Sequence, residues 1–407
     1  MKLRLLALWA AFLTVHVLVA WLGWVYPSQP MGDVHLVYEP WSRAALSGEG
    51  VVGVTESWVY PQLALAPMML TQLFAWPLTG LVGPAAAYLI GWAILVTLLD
   101  ALGFAVLLAR GGAASRRAAG WFWTVAILLL GPIAMYRIDA VTVPLAVIGG
   151  CWLVRRPAVA TALLTVGAWI KIWPGALVLA AIITARTRMR MLLSAVAVTA
   201  GVVVMLLLLG AEGRLLGFLT EQTGRGLQVE AVAATGFLWA ALFGAASIEY
   251  SFEILTFQIV APGADAASAA LTPIMVVMVL ALTALGALKA VRGARFPRLM
   301  PPLALALVVT LIVANKVGSP QFQTWLIAPV ILWILFDRAR SVTPALLVLL
   351  LCALTCLVYP LTYDALLQAE LLPVLVLTAR NLTLILLLVV ALRALLRVPT
   401  GNIRTAP

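Results

Sequence analysis

The stretch MKLRLLALWAAFLTVHVLVAWLGWVY, residues 1–26, decides the fold. Two cations, Lys2 and Arg4, precede an apolar run that reaches residue 26. It opens like a secretory leader. The run is longer than a leader's apolar core, and no convincing small-residue cleavage site follows, so it is expected to stay as an anchor. About 20 apolar residues cross a bilayer as a helix, which makes this the first crossing. His16, inside it, reads as a packed, hydrogen-bonded side chain rather than a ligand.

Further apolar segments follow along all 407 residues. Hydrophobic residues make up 64% and charged residues 10%, where soluble domains run near half and a quarter. A membrane β-barrel would show short alternating strands, and none appear. The expectation is an all-α polytopic transmembrane bundle forming a single integral-membrane domain over 1–407. About twelve segments are expected, near 5–26, 84–109, 119–136, 138–154, 157–170, 173–185, 190–211, 270–291, 299–315, 320–336, 341–359 and 370–392. Cys151, Cys352 and Cys356 lie inside apolar segments and suggest neither a metal site nor a disulfide framework.

The net charge is +11. In a soluble chain that would point to nucleic acid; here the excess orients helices. Charges fall into two groups that alternate along the chain. One is basic: Lys2 and Arg4, Arg110, Arg116 and Arg117, Arg155 and Arg156, Arg186 to Arg190, Lys289 to Arg298, Arg338 and Arg340, and Arg393, Arg397 and Arg404, with only Asp337 acidic. The other is mixed and mostly acidic, from Asp33, Glu39 and Glu56 through Arg137, Asp139, Lys171, Glu212, Glu221, Glu230, Glu253 and Lys316 to Glu370. The positive-inside rule makes the first group cytoplasmic, with both termini inside a plasma membrane. Two large external regions result, 27–83 and 212–268. Segment 61–80 is apolar, but counting it as a crossing would put Arg110, Arg116 and Arg117 outside; with Pro67 and Pro77 it reads as an outer-surface or re-entrant helix. The short pair 157–170 and 173–185 turns at WIKIWPG, a polar turn tolerated at depth only where it lines a cavity.

Four outer clusters carry candidate chemistry: the stretch with Asp33, ESWVYPQ (56–62), YRID (136–139) with IKIWP (170–174), and NKVGSPQFQTW (315–325). Ionisable residues near the membrane are functional candidates because burying them is costly. A carboxylate can take a proton from an attacking hydroxyl, and cations can hold a departing phosphate. A substrate with an apolar tail, a phosphate and a transferable sugar would fit. Tyr38, Trp41, Trp58 and Tyr60 either pack on sugar faces or form an interfacial aromatic belt.

The order GDVHLVYEPW…SWVYPQLALAPMML resembles the first external loop of the GT-C glycosyltransferases, and most closely the actinobacterial family 87 of polyprenyl-phosphate-sugar transferases. Gly32, Asp33, Val34, Tyr38 and Trp41 match its opening. Tyr60, Pro61 and Gln62 match its Tyr-Pro-Pro step except for the second proline. Lys171 with Pro174, and Lys316 with Ser319, Pro320 and Gln321, match later elements. The resemblance implies the GT-C fold and an inverting transfer of a sugar, mannose first, from a polyprenyl phosphate to a hydroxyl of a glycolipid or cell-envelope glycan. Asp33 would be the catalytic general base. Lys316, Lys171, Gln321 and Arg137 would bind donor phosphate. His35, Tyr38, Trp41, Glu56, Trp58 and Tyr60 would place acceptor or sugar. Asp139 beside Arg137 would order the loop as an ion pair. The donor's phosphodiester carries one negative charge, which basic side chains can balance, so no metal or other cofactor is expected. The protein is expected to act as a monomer in contact with membrane lipids.

Three other readings stay open: an arabinofuranosyltransferase using the same base and cations, a scaffold that has lost activity, against which Asp33 argues, and a transporter or flippase of lipid-linked sugars. The last would be marked by inverted repeats with matching interruptions, and none are seen.

Overall fold

The computed structural model describes residues 2–109, 113–218, 224–251 and 256–401. Arg110, Glu221, Glu253 and Arg404 lie outside the described residues. Nine helices among the described residues are long and apolar enough to cross a membrane, and five shorter apolar helices accompany them. The chain is thus an all-α, polytopic helical protein. It divides into two compact units: Met1–Gly175 with Arg190–Gly224, and Ala176–Met189 with Arg225–Pro407.

The first unit contains α1 (Lys2–Val25), α2 (Glu39–Ser47), α3 (Leu65–Val82), α4 (Pro84–Leu108), α5 (Ala114–Leu130), α6 (Asp139–Trp152) and α7 (Pro157–Ile170). The start of α8 (Pro174–Thr184) and α9 (Arg188–Leu208) complete it. Contacts give each helix a direction. Phe12 of α1 stacks on Phe104 of α4 at 3.9 Å, and the Arg116 side chain of α5 donates to the Leu107 carbonyl. These place the starts of α1 and α5 and the end of α4 at one end of the unit. At the other end Tyr136 donates to the Ala20 carbonyl, and Trp92 donates to the Met135 carbonyl. Ser194 of α9 donates to the Ala158 carbonyl of α7, which joins the starts of those two helices. The unit therefore gathers Arg116 and Arg117 beside the start of α1 at one end, and Asp33, Arg137 and Asp139 at the other.

Helix α3 is as long and apolar as a span, yet its two ends share one end of the unit. It begins just after Gln62, whose amide donates to the Arg214 and Leu215 carbonyls. It ends at Gly83, where φ of +82° reverses the chain into α4. Helix α4 then runs from Trp92, at the Asp33 end, through Asp100 to Phe104. So α3 returns to the end from which it set out.

The pair α7 and α8 matches the expected 157–170 and 173–185 closely. The helix stops at Ile170 because Lys171 is extended (φ −150°, ψ 133°) and Pro174 cannot continue an inherited helical hydrogen bond. Trp173, completely buried, donates to the Thr142 hydroxyl and pins the turn onto α6.

Beyond α8, the second unit holds α10 (Thr235–Leu242), α11 (Ala264–Val291), α12 (Phe296–Val313), α13 (Ile327–Phe336), α14 (Val342–Cys356), α15 (Tyr363–Leu367) and α16 (Leu371–Leu396). A two-stranded antiparallel ribbon, β1 (Ser247–Ser251) and β2 (Thr256–Val260), pairs Ser247 with Val260 and Ser251 with Thr256. No strand is expected there from an all-α pattern. Residues 227–229 add a further edge, with the Val229 N–H donating to the Phe257 carbonyl and that of Ile259 to the Leu227 carbonyl. A core of Leu227, Val229, Leu238, Ile259, Leu271 and Leu377 lies beneath the ribbon. Most of α11 faces outward, with only 11% of its apolar window buried, as expected of a helix whose remaining face meets lipid.

Candidate active site

In the first unit, α1 ends at Val25 and the chain enters a tight loop. Ser28 and Gln29 both take left-handed backbone conformations (φ +56° and +48°). Such positions are unfavourable for residues other than glycine and persist where surrounding structure imposes them. Arg137 supplies that hold. Its Nη1 donates to the Pro30 carbonyl at 2.6 Å and to the Tyr136 carbonyl at 2.8 Å. Its Nε lies 3.3 Å from Asp33 Oδ2. Asp33 starts a short π-helical turn, Val34–Tyr38, a geometry that recurs at functional sites because it re-aims side chains.

The Asp33 side chain is 39% exposed, whereas the Arg137 side chain is 6% exposed. The acid is open and its partner is enclosed. This differs from the expectation for Arg137: a guanidinium committed to two carbonyls and a carboxylate holds the loop, instead of standing open for a phosphate.

A second ion pair involves Asp139, the residue expected beside Arg137. The structure brings Lys171 Nζ to 3.7 Å from Asp139 Oδ2, with the aspartate side chain fully buried and the lysine 13% exposed. Lys171 Nζ also lies 4.4 Å from the centre of the Tyr60 ring, a cation–π contact of the kind favoured where water is scarce. Lys171 thus links α6, the α7–α8 turn and the loop before α3.

The four aromatics form one cluster in place of a belt. Tyr38 lies 5.2 Å from Trp92 and 6.4 Å from both Trp41 and Tyr60, and Trp58 lies 5.4 Å from Trp41 and 5.5 Å from Tyr60, all between ring centres. Tyr38 and Trp58 are buried, so neither presents a face to a sugar. Trp41 and Tyr60 are half-buried and retain an accessible side. Burial raises the Tyr38 hydroxyl well above its ordinary pKa, reinforced by Tyr60 and Asp33; burial likewise raises Tyr60, against the pull of Lys171. Both stay neutral donors. The Tyr38 oxygen accepts from the Ile138 N–H at 3.3 Å, tying the Asp33 turn to the start of α6.

His35 is half-buried in the π-helical turn, and Glu56 is exposed, with its carboxylate against Gly50. Gln62, in place of a second proline, uses its amide to bind the 214–215 backbone. Arg214 returns a bond to the Val54 carbonyl at 3.3 Å.

Lys316 and Gln321 belong to the second unit, and both are buried. The Asn315 side chain accepts from the Val317 N–H, and the Lys316 carbonyl accepts from the Gln228 N–H at 3.0 Å. Gly318 is obligatory: a Cβ there would lie 2.0 Å from the Ala231 nitrogen. Beneath that contact, Arg380 pairs with Glu230 and with Asn381, all buried. Burial, and secondly the Arg225 guanidinium, hold Lys316 below the usual lysine pKa. The strand-edge segment after Arg225 therefore adds a second cation beside Lys316.

Sequence order alone missed three polar groups. Asp100 and Arg380 lie inside apolar helices and meet partners far along the chain: His16 Nε2 lies 3.1 Å from Asp100 Oδ2, and Arg380 meets Glu230. His16 Nδ1 also lies 2.8 Å from the Phe12 carbonyl, so the histidine is packed and hydrogen-bonded. Arg225 was visible only as one charge among many. Among the described residues no three His, Cys, Asp or Glu side chains gather as metal ligands would. No protein-family model matches this chain, and no curated protein matches it either.

Proposed function

We propose that the chain is an inverting glycosyltransferase of the membrane, moving a sugar, mannose first, from a polyprenyl phosphate to a hydroxyl of a glycolipid or envelope glycan. The observation that carries this reading is the open carboxylate of Asp33, fixed by the enclosed Arg137 and close to the half-buried Tyr60, whose ring also carries Lys171. A base must reach a reacting proton while its own position is held. The acceptor oxygen attacks C1 of the sugar as its proton passes to Asp33. The bond between C1 and the phosphate oxygen breaks, and polyprenyl phosphate leaves with one more negative charge. Lys171, in the same unit as Asp33, is a cation able to meet that charge. Arg137 acts as a positioning residue.

The segregated charges of the first unit support an orientation in which the Arg116 end faces the cytoplasm and the Asp33 end faces outward. In that frame α3 is an external helix and the N-terminus is cytoplasmic; the basic groups of the second unit put the C-terminus on the cytoplasmic side by the same charge rule, and the protein works as a monomer in the plasma membrane. A lipid-linked donor suits that outer face, where nucleotide sugars are unavailable.

The test supplies membranes containing the protein with radiolabelled polyprenyl-phosphate mannose or arabinose and identifies the labelled product. Label in a glycolipid with the wild type, and none with Asp33→Asn, is expected. Full transfer by Asp33→Asn would remove the base, and label moved across the membrane without a new glycosidic bond would favour a transporter.

A further inference from the structure

At the basic end of the second unit, four arginines converge on one cleft of about 450 Å³. Arg298 comes from the first turn of α12, Arg340 from the turn before α14, and Arg393 and Arg397 from the last turns of α16. One acid, Asp337, lies among them, 3.4 Å from Arg298 and 3.0 Å from Arg340. Its side chain is 11% exposed while those arginines are 42% and 59% exposed. Asp337 thus aims two guanidinium groups while spending only one negative charge. Arg393 and Arg397 are exposed and lie four residues apart on one helical face. Among the described residues neither has an acidic partner.

Helix orientation calls for cations near this end, but it does not require them to meet around a concavity. Bringing four together carries mutual repulsion, which a bound anion relieves. A net charge of three in a cleft with low-dielectric walls concentrates the field inside it. The floor is apolar, formed by Pro302, Trp333 and Val390. The volume falls in the range of small-ligand sites, and guanidinium forks match phosphate oxygens in pairs.

We propose that this cleft binds a phosphate-bearing anion, supplied by an anionic phospholipid headgroup or by a soluble phosphorylated compound. It is separate from the Asp33 chemistry and does not rest on it. An apolar floor under an arginine rim places a phosphate outward and a glycerol or other carbon skeleton inward.

The experiment uses the full chain in detergent and follows its thermal midpoint against added ligand. The probes are phosphatidylglycerol in mixed micelles, phosphatidylcholine in the same micelles, and inorganic pyrophosphate. Two double variants remove equal charge: Arg393→Gln with Arg397→Gln in the cleft, and Arg292→Gln with Arg295→Gln outside it, all four side chains being exposed. Wild type and the outside variant are expected to bind the anionic probe alike, and the cleft variant about tenfold more weakly. Phosphatidylcholine is expected to separate none of them. A cleft-dependent response to phosphatidylglycerol alone assigns the site to lipid; one to pyrophosphate assigns it to a soluble phosphate. Equal losses in both double variants, or no loss in either, would overturn the proposal, because attraction to bulk charge would then suffice.

Discussion

Arg137 lies 3.3 Å from Asp33, and its two strong bonds go to the Pro30 and Tyr136 carbonyls on either side of the contact. The pair is a joint between the loop after α1 and the entry to α6. Arg137→Ala would leave two carbonyls without this donor and the Asp33 carboxylate without its counter-charge. The expected loss is about 3 kcal/mol, read as a lower thermal midpoint. Arg137→Lys is expected to recover little of it, since an ammonium lacks the fork that reaches these groups at once. An unchanged midpoint in both variants would show that the loop stands by itself.

Lys171 and Asp139 test a buried pair. Lys171→Met leaves a fully buried carboxylate, which is expected to cost about 3–5 kcal/mol. Adding Asp139→Asn removes the stranded charge and is expected to restore most of the stability. If the double variant is as unstable as the sum of the two single ones, the residues are not coupled.

Lys316 gives a dependence on pH. Its pKa is lowered by burial and then by Arg225, so the folded chain releases this proton at lower pH than the unfolded chain does. Between those two values the unfolded state holds more protons, and this residue's contribution to stability rises with pH. Binding of polyprenyl phosphate should do the opposite, falling as Lys316 loses its charge. Lys316→Arg is expected to bind with no such fall. Arg225→Gln is expected to move the midpoint of the fall to higher pH, whatever it does to affinity. A midpoint that stays put would separate Arg225 from Lys316.

Orientation is tested by labelling single cysteines in intact cells with an impermeant reagent. Ser47→Cys, exposed after α2, is expected to react. Ser115→Cys, in the first turn of α5, is expected to react only after lysis. The reverse result would turn the protein over.

Much of the helical framework was legible because apolar length and charge asymmetry are local properties. The break between α7 and α8 could be read from Pro174 alone, and the helix ends at Trp152 and Phe336 fall within two residues of those expected. Partnerships were not legible. Nothing near His16 announces Asp100, and nothing near Glu230 announces Arg380, because each contact is made only when distant helices pack. Tyr38 and Trp58 look in sequence like surface aromatics; Tyr38 is covered by Trp92 arriving from α4, and Trp58 packs on Trp41 and Tyr60. The ribbon at 247–260 was hidden for a similar reason: its pairing edge at 227–229 lies on the other side of α10. Asp33 and Lys171 stood out as candidates by their setting, but their pairing with Arg137 and Asp139 did not.

The grip on the Pro30 carbonyl also has a consequence in time. During synthesis the segment with Ser28 and Gln29 leaves the ribosome well ahead of Arg137, so its unfavourable backbone has nothing to hold it at first. A nascent chain that stops short of residue 137 would display the aspartate on a slack tether. The chain makes its acid early and fixes its position late.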